Sequence, residues 1–170
     1  MLLVPVMGPH VRLVRRQSEV ARALFGEPFF YVMKKLNQYQ ICARVRKGVE
    51  SFAKATGYPV DLCGLCGIAS HALAKAFRIH GYSATLVAGM YRTQSKGSHS
   101  WVESKDKIWD VTATQFKRGK VVVVDKKRSK AYKRGPEGWQ SIDSYRTWGE
   151  QCPTWRRTQS ILKRAKIIDG

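Results

Sequence analysis

Acidic side chains are scarce in this sequence: 12 Asp and Glu stand against 31 Lys and Arg, a formal charge of +19 over 170 residues. A balance this basic suggests attraction to an acidic partner, whether nucleic acid, an acidic protein or an anionic surface; the plainer alternative is a basic surface with no dedicated ligand. Long apolar runs are also lacking. No segment approaches the roughly 20 apolar residues that span a bilayer, and the apolar residues 1–7 lack a basic start and are too few for a signal-peptide core. The expectation is a cytoplasmic protein without a membrane span. Cysteine is sparse too, and its four uneven positions (42, 63, 66 and 152) fit free thiols better than a disulfide framework. Internal repeats and linker-like breaks are missing, so residues 1–170 read as a single domain, with enough apolar content for a core.

The charge is unevenly spread. Residues 1–60 hold 10 basic and 3 acidic groups, residues 61–116 hold 6 and 4, and residues 117–170 hold 15 and 5. The nearly neutral middle carries the chemistry. It begins Asp61-Leu62-Cys63-Gly64-Leu65-Cys66-Gly67-Ile68-Ala69-Ser70. From Cys66, Ala69, Ala72, Leu73, Ala76 and Phe77 recur at three- and four-residue intervals, which predicts a helix of about four turns. Cys66 and Ser70 lie on or beside its apolar stripe, and Gly81 suits a left-handed stop.

Strands follow. Residues 82–91 are rich in β-branched and aromatic side chains. Residues 98–103 alternate, with His99, Trp101 and Glu103 on one face and Ser100 and Val102 on the other. Lys105-Asp106-Lys107 is a turn, and residues 108–114 return beside the preceding strand as a hairpin. Ile108, Asp110 and Thr112 then share a face, so a suitable register brings Asp110 beside His99.

A thiol at a helix start followed by a histidine strand and an acid strand can build an activated nucleophile. A helix N-terminus and an imidazolium both favour thiolate, and a carboxylate on the far ring nitrogen fixes the imidazole tautomer. Cys66 is thus the candidate nucleophile, His99 the base and Asp110 the orienting acid. The Cys66 backbone N–H can supply one oxyanion donor. For the second, Gln38 and Gln40 are candidates by residue type and Tyr58 by nearness in sequence. Trp101 is expected to shield the imidazole and Glu103 to lie at the cleft edge, while Gln115 and Phe116 receive no chemical role. Two competing readings are weaker. A Cys63-x-x-Cys66 redox pair leaves His99 and Asp110 without roles. A zinc site built on the same two thiols finds no matching close pair among His71, His80, His99, Cys42 and Cys152.

The ordered phrases Asp-x-x-Gly-x-Cys-x-x-Ala-Ser (61–70), His-x-Trp-Val-Glu (99–103) and Trp-Asp-Val-Thr-Ala-Thr-Gln-Phe (109–116) resemble the papain-like, transglutaminase-like cysteine enzymes, in particular their small bacterial and phage members. They are also similar to the leader-cleaving proteases of lasso-peptide maturation. The resemblance covers about a third of the chain. It implies an α+β fold of N-terminal helices packed on an antiparallel sheet, a Cys66-His99-Asp110 triad, a protein or peptide substrate and no cofactor. Peptide or amide hydrolysis is the first expectation; the superfamily also holds transglutaminases, deamidases and inactive members. A basic binding module on the same scaffold is the alternative.

The flanks complete the picture. Helices are expected over residues 18–25 and 36–56, the second with Ile41, Val45, Val49 and Phe52 facing inward, Cys42 buried beside them and Gly57 as its stop. Residues 29–33 read as core. Residues 121–124 read as a strand extending the sheet, residues 125–138 as a solvated basic loop, and residues 161–168 as a short final helix. Trp139, Tyr145, Trp148 and Trp155 interleave with Arg146, Arg156 and Arg157, a mixture compatible with base stacking beside phosphate contacts.

Overall fold

A computed structural model of the chain describes residues 35–92, 98–135 and 153–169. Leu36–Gly170 is a compact unit of its own. The expected helix over residues 18–25, the apolar run 29–33 and the aromatics Trp139, Tyr145 and Trp148 lie outside the described residues.

Helix α1 (Gln38–Thr56) begins two residues later than its apolar pattern because Asn37 caps it. The Asn37 side chain accepts from the Gln40 N–H at 2.9 Å, and the Gln40 side chain accepts from the Asn37 N–H at 3.0 Å, a reciprocal capping box. Its inner stripe buries Ile41, Val45, Val49 and Phe52 with Cys42 beside them, and Gly57 ends it in the left-handed region at φ 76°. Helix α2 (Cys66–Ile79) closes with a Schellman arrangement. Gly81 donates to the Arg78 carbonyl and Tyr82 to that of Phe77, while the Phe77 and Tyr82 rings meet at 6.1 Å.

Five antiparallel strands follow: β1 (Thr85–Tyr91), β2 (His99–Ser104), β3 (Lys107–Asp110), β4 (Val122–Asp125) and β5 (Tyr132–Arg134), in spatial order β4-β3-β2-β1-β5. Sequential β1 to β4 lie side by side, and β5 crosses to the free edge of β1. A short 3-10 turn (Ala113–Phe116) joins β3 to β4. Helix α3 (Pro153–Arg164) packs with α1 and α2, completing a mixed α+β architecture of three helices on an antiparallel sheet.

The alternation along the strands divides two apolar clusters. Val102, Trp109 and Val111 pack with the helices, whereas Val87, Tyr91, Trp101, Ile108 and Tyr132 form a second cluster on the opposite sheet face. His99, Trp101 and Glu103 therefore share a face, as their spacing predicts. The two-residue β2–β3 connection opens with Lys105 at φ 53° and pairs Val102 with Trp109. Among the described residues no helix is long and apolar enough to cross a membrane.

Two expectations need correction. The region read as a solvated loop from residue 125 contains β5. Its strand pattern is masked because only Tyr132 points inward while Lys133 and Arg134 stay exposed; pairing of Tyr91 with Tyr132 and Gly89 with Arg134 holds it to β1. The final helix starts at Pro153, well before residue 161, and ends at Arg164, because Thr158, Ile161 and Leu162 form its buried side.

Gly89 is what lets β5 dock. A Cβ there would lie 2.1 Å from the Lys133 carbonyl oxygen and 2.7 Å from the Trp101 ring, and both are held in place, one by backbone pairing and one by full burial. Gly89→Ala should lower unfolding free energy by about 1–3 kcal/mol, the usual cost of overpacking, read from urea denaturation. An unchanged midpoint would mean β5 is not held against β1 as described.

Candidate active site

Helix α2 starts without a side-chain cap: Leu65 occupies that position and makes no capping hydrogen bond. Its first amides therefore lack helical acceptors, and the Gly67 N–H donates to the Cys66 sulfur. The turn leading in is shaped by the Asp61 carboxylate, which accepts from the Cys63 N–H at 3.0 Å, and by positive φ at Leu62 and Gly64. One turn into α2, on the same helix face as Cys66, the Ser70 hydroxyl donates to the Ser100 carbonyl at 2.9 Å. This tether sets the helix start against the first residues of β2. Cys66 is left half-buried, hydrogen-bonded to the His99 imidazole and to the Ser100 N–H.

His99 is the first residue of β2 and is 2% exposed, and Asp110, the last of β3, is fully buried. His99 Nε2 donates to Asp110 Oδ2 at 2.7 Å, which leaves Nδ1 for the thiol. Antiparallel pairing of Val102 with Trp109 makes this contact possible, since each step back along β2 is matched by a step forward along β3. The structure thus brings Cys66, His99 and Asp110 into one row.

A buried carboxylate needs its oxygens satisfied, and Asp110 has four donors. The Thr112 N–H (2.8 Å) and hydroxyl (3.0 Å) reach Oδ1, while Tyr132 Oη (2.9 Å) joins His99 on Oδ2. Burial raises the Tyr132 phenol pKa far above its ordinary value, and the Asp110 charge raises it further, so Tyr132 stays a donor. Phe116 stands edge-on to the imidazole at 4.8 Å, Tyr91 stacks on Phe116 at 4.2 Å, and Trp101 closes the ring's flank at 6.1 Å.

The electrostatics follow from these partners. Burial alone would lower the His99 pKa, but hydrogen bonds and charge from Asp110 and Cys66 raise it to about 9. Burial alone would raise the Cys66 pKa; the His99 hydrogen bond and charge, with the Ser100 and Gly67 amides, instead hold it below the ordinary thiol value. Each partner favours the other's charged form, which shifts the pair toward thiolate and imidazolium. Cys42 differs: burial raises its pKa far out of reach.

Other expectations fare differently. Gln38 and Gln40 do not stand at the site. Gln38 donates to the Ser104 hydroxyl at the far end of β2, and Gln40 is consumed by the α1 cap. Tyr58 packs on Phe52 at 6.3 Å, and none of its hydrogen bonds among the described residues reaches the Cys66–His99 pair. Glu103 is buried instead of lining a cleft edge, ion-paired with Arg134 and with Lys126 (2.6 Å). Burial raises its pKa and those two cations more than reverse the rise. Among the described residues no group of three or more His, Cys, Asp or Glu is arranged to hold a metal ion.

Sequence reasoning missed Thr112, Tyr132, Gln115 and Arg46. Thr112 had a signal, because an Asp commonly accepts from the backbone N–H two residues on. Tyr132 had only one aromatic among cations. Gln115 Nε2 lies 3.2 Å from His99 Nδ1 and donates to the Thr112 carbonyl at 3.1 Å. Arg46, 4% exposed on α1, donates to the Val111 and Lys120 carbonyls and the Thr114 hydroxyl, clamping the turn that carries Gln115. Comparison with family models, with curated proteins and with solved structures finds no match to the chain.

The pair's titration gives a signed prediction. Thiolate is present above the lowered Cys66 pKa and is lost as pH falls through it, whereas the imidazolium proton is lost as pH rises through about 9. Iodoacetamide alkylation of Cys66 should stay fast below the ordinary thiol pKa, with Cys42 unreactive in the folded protein. In His99→Ala the alkylation midpoint should move toward the ordinary thiol value, at least about 10-fold in rate near neutral pH. A wild-type midpoint at the ordinary thiol value would remove the ion pair.

Proposed function

We propose that the chain is a cysteine-dependent acyl-transfer enzyme with a papain-like, transglutaminase-like architecture, acting foremost as a peptidase or amide hydrolase. One observation carries the reading: a half-buried thiol at a helix start, hydrogen-bonded to a buried imidazole whose other nitrogen is 2.7 Å from a fully satisfied carboxylate. The Cys66 sulfur attacks the substrate carbonyl carbon, and the carbonyl π pair moves onto oxygen. As this oxyanion collapses, the carbon–nitrogen bond breaks and His99 Nδ1 gives its proton to the leaving amine. Water then attacks the thioester; His99 accepts its proton, and the acid and the free Cys66 sulfur are released. Asp110 keeps Nε2 protonated throughout, so Nδ1 is the nitrogen that exchanges the proton.

Hydrolysis leads because water is its only second substrate. Deamidation of glutamine, or crosslinking to an amine, uses the same three groups with a different carbonyl or acceptor. The substrate on this reading is a protein or peptide. Incubation with a peptide library, read by mass spectrometry, should give cleavage products or the one-dalton gain of deamidation. Cys66→Ala and His99→Ala should each lower the rate by about 10³-fold or more. Slow, equal alkylation of every thiol together with no product from the library would sink the enzyme reading.

One feature favours a second reading, a basic module binding nucleic acid or an acidic protein. Helix α3 carries no acidic residue and exposes Arg156, Arg157, Lys163 and Arg164. Retention on single-stranded DNA or RNA should then fall steeply between 50 and 200 mM salt, by about 10-fold or more for several phosphate contacts. Salt-independent or absent retention would remove nucleic acid as a partner.

A further inference from the structure

A carboxylate orients an imidazole only if it is itself held still. The terminal torsion of an Asp side chain is broad, so the direction of the Asp110 oxygens is set by their hydrogen bonds. Thr112 holds Oδ1, with its N–H at 2.8 Å and its hydroxyl at 3.0 Å. Both groups belong to a residue two positions along the chain, so they anchor one oxygen locally and leave the placement of Oδ2 to other groups. Oδ2 makes the contact on which the row depends, 2.7 Å to His99 Nε2, and the imidazole turns about a broad torsion of its own. The other donor on that oxygen is Tyr132 Oη, at 2.9 Å.

Tyr132 is fixed from outside the row. It is the buried first residue of β5 and pairs with Tyr91 of β1. The backbone is tied on both sides of it: the Arg92 N–H donates to the Ala131 carbonyl, and the Gly135 N–H donates to the Ala88 carbonyl. Its ring stands edge-on to Tyr91 at 5.0 Å and to Trp101 at 5.3 Å. With backbone and ring both held, the phenolic proton is the remaining freedom, and it is directed at Oδ2. Phenylalanine would fill the same place in this apolar cluster, where a hydroxyl without a partner costs free energy. The hydroxyl spends its bond on the oxygen that His99 also uses.

We propose that Tyr132 is a positioning residue of the Cys66 site: through its hydroxyl on Asp110 Oδ2, edge strand β5 sets the line along which the carboxylate meets His99 Nε2. The assignment rests on the acyl-transfer reading above. Tyr132 exchanges no proton itself. It holds Asp110 in place while His99 Nδ1 gives its proton to the leaving amine and then takes one from water.

Tyr132→Phe keeps the ring and removes only the hydroxyl. In the intact protein it should lower hydrolysis of p-nitrophenyl acetate about 10- to 100-fold, the loss expected for a hydrogen bond to a charged group. In an Asp110→Asn background the same substitution should change the rate by less than about 2-fold, because the hydroxyl acts through the carboxylate. Equal factors in the two backgrounds would make Tyr132 a packing residue, and a fall of under about 3-fold in the wild-type background would leave Asp110 positioned without it; either overturns the proposal. Hydrogen exchange followed by NMR decides the matter should Asp110→Asn not fold. The His99 Nε2 proton should exchange with water at least about 10-fold faster in Tyr132→Phe while the β5 amides keep their rates. An unchanged His99 proton, or β5 amides that also exchange faster, overturns the proposal. Fast wild-type alkylation of Cys66 by iodoacetamide with no turnover of the ester would overturn the acyl-transfer reading and this assignment with it.

Discussion

The buried carboxylate of Asp110 is the constraint around which the sheet is arranged. An unpaired carboxylate in a protein interior is strongly unfavourable, and here each oxygen takes two donors. Thr112 supplies both groups on Oδ1 locally. His99 and Tyr132 reach Oδ2 from β2 and β5, which lie on one side of β3 but are separated from each other by β1. The carboxylate thus links an internal hairpin to the far edge strand, and its charge in turn keeps the His99 imidazole protonated.

The thiol is delivered by a different set of forces. Helix α2 is placed by burial of Ala69, Ala72, Leu73, Ala76 and Phe77, each fully buried, and by the edge-on packing of Phe77 with Trp109 at 5.4 Å. The Ser70–Ser100 hydrogen bond is directional, and together with the tie between Thr114 and Asp61 it fixes where the helix starts relative to β2. Apolar packing supplies most of the stability, and a few polar tethers supply the position. Gly48 allows the third helix to join this layer, since a Cβ there would meet the Ile161 carbonyl at 2.6 Å.

Charge is organised in the same way. Among the described residues, exposed Lys and Arg lie on α1, α3 and the segments beyond residue 116, whereas the buried charges are matched: Asp110 by its donors, Glu103 by Arg134 and Lys126, and Arg46 by Glu50 and three oxygens. A surface so cationic screens poorly at low salt and attracts polyanions. Around the imidazole of the reactive row, Trp101, Tyr91, Phe116 and Tyr132 pack as an aromatic shell.

Local pattern made much of this legible. The three- and four-residue apolar spacing gave α1 and α2, and strict alternation placed His99, Trp101 and Glu103 on one face. The short polar Lys105-Asp106 connection gave the hairpin that sets Asp110 against His99. These features are local, so the sequence by itself determined them: backbone periodicity and turn chemistry act over a few residues. What only tertiary structure decided is long-range. Tyr132 shows no strand signal of its own, because two of the three residues of β5 face solvent, and it becomes a strand residue only when the exposed edge of β1 accepts it. Gln115 and Arg46 are ordinary polar residues until folding encloses them, after which their donors must find oxygens. Which buried polar groups meet is settled by the need to satisfy every one of them at once, and that demand is visible only when distant segments share the same interior.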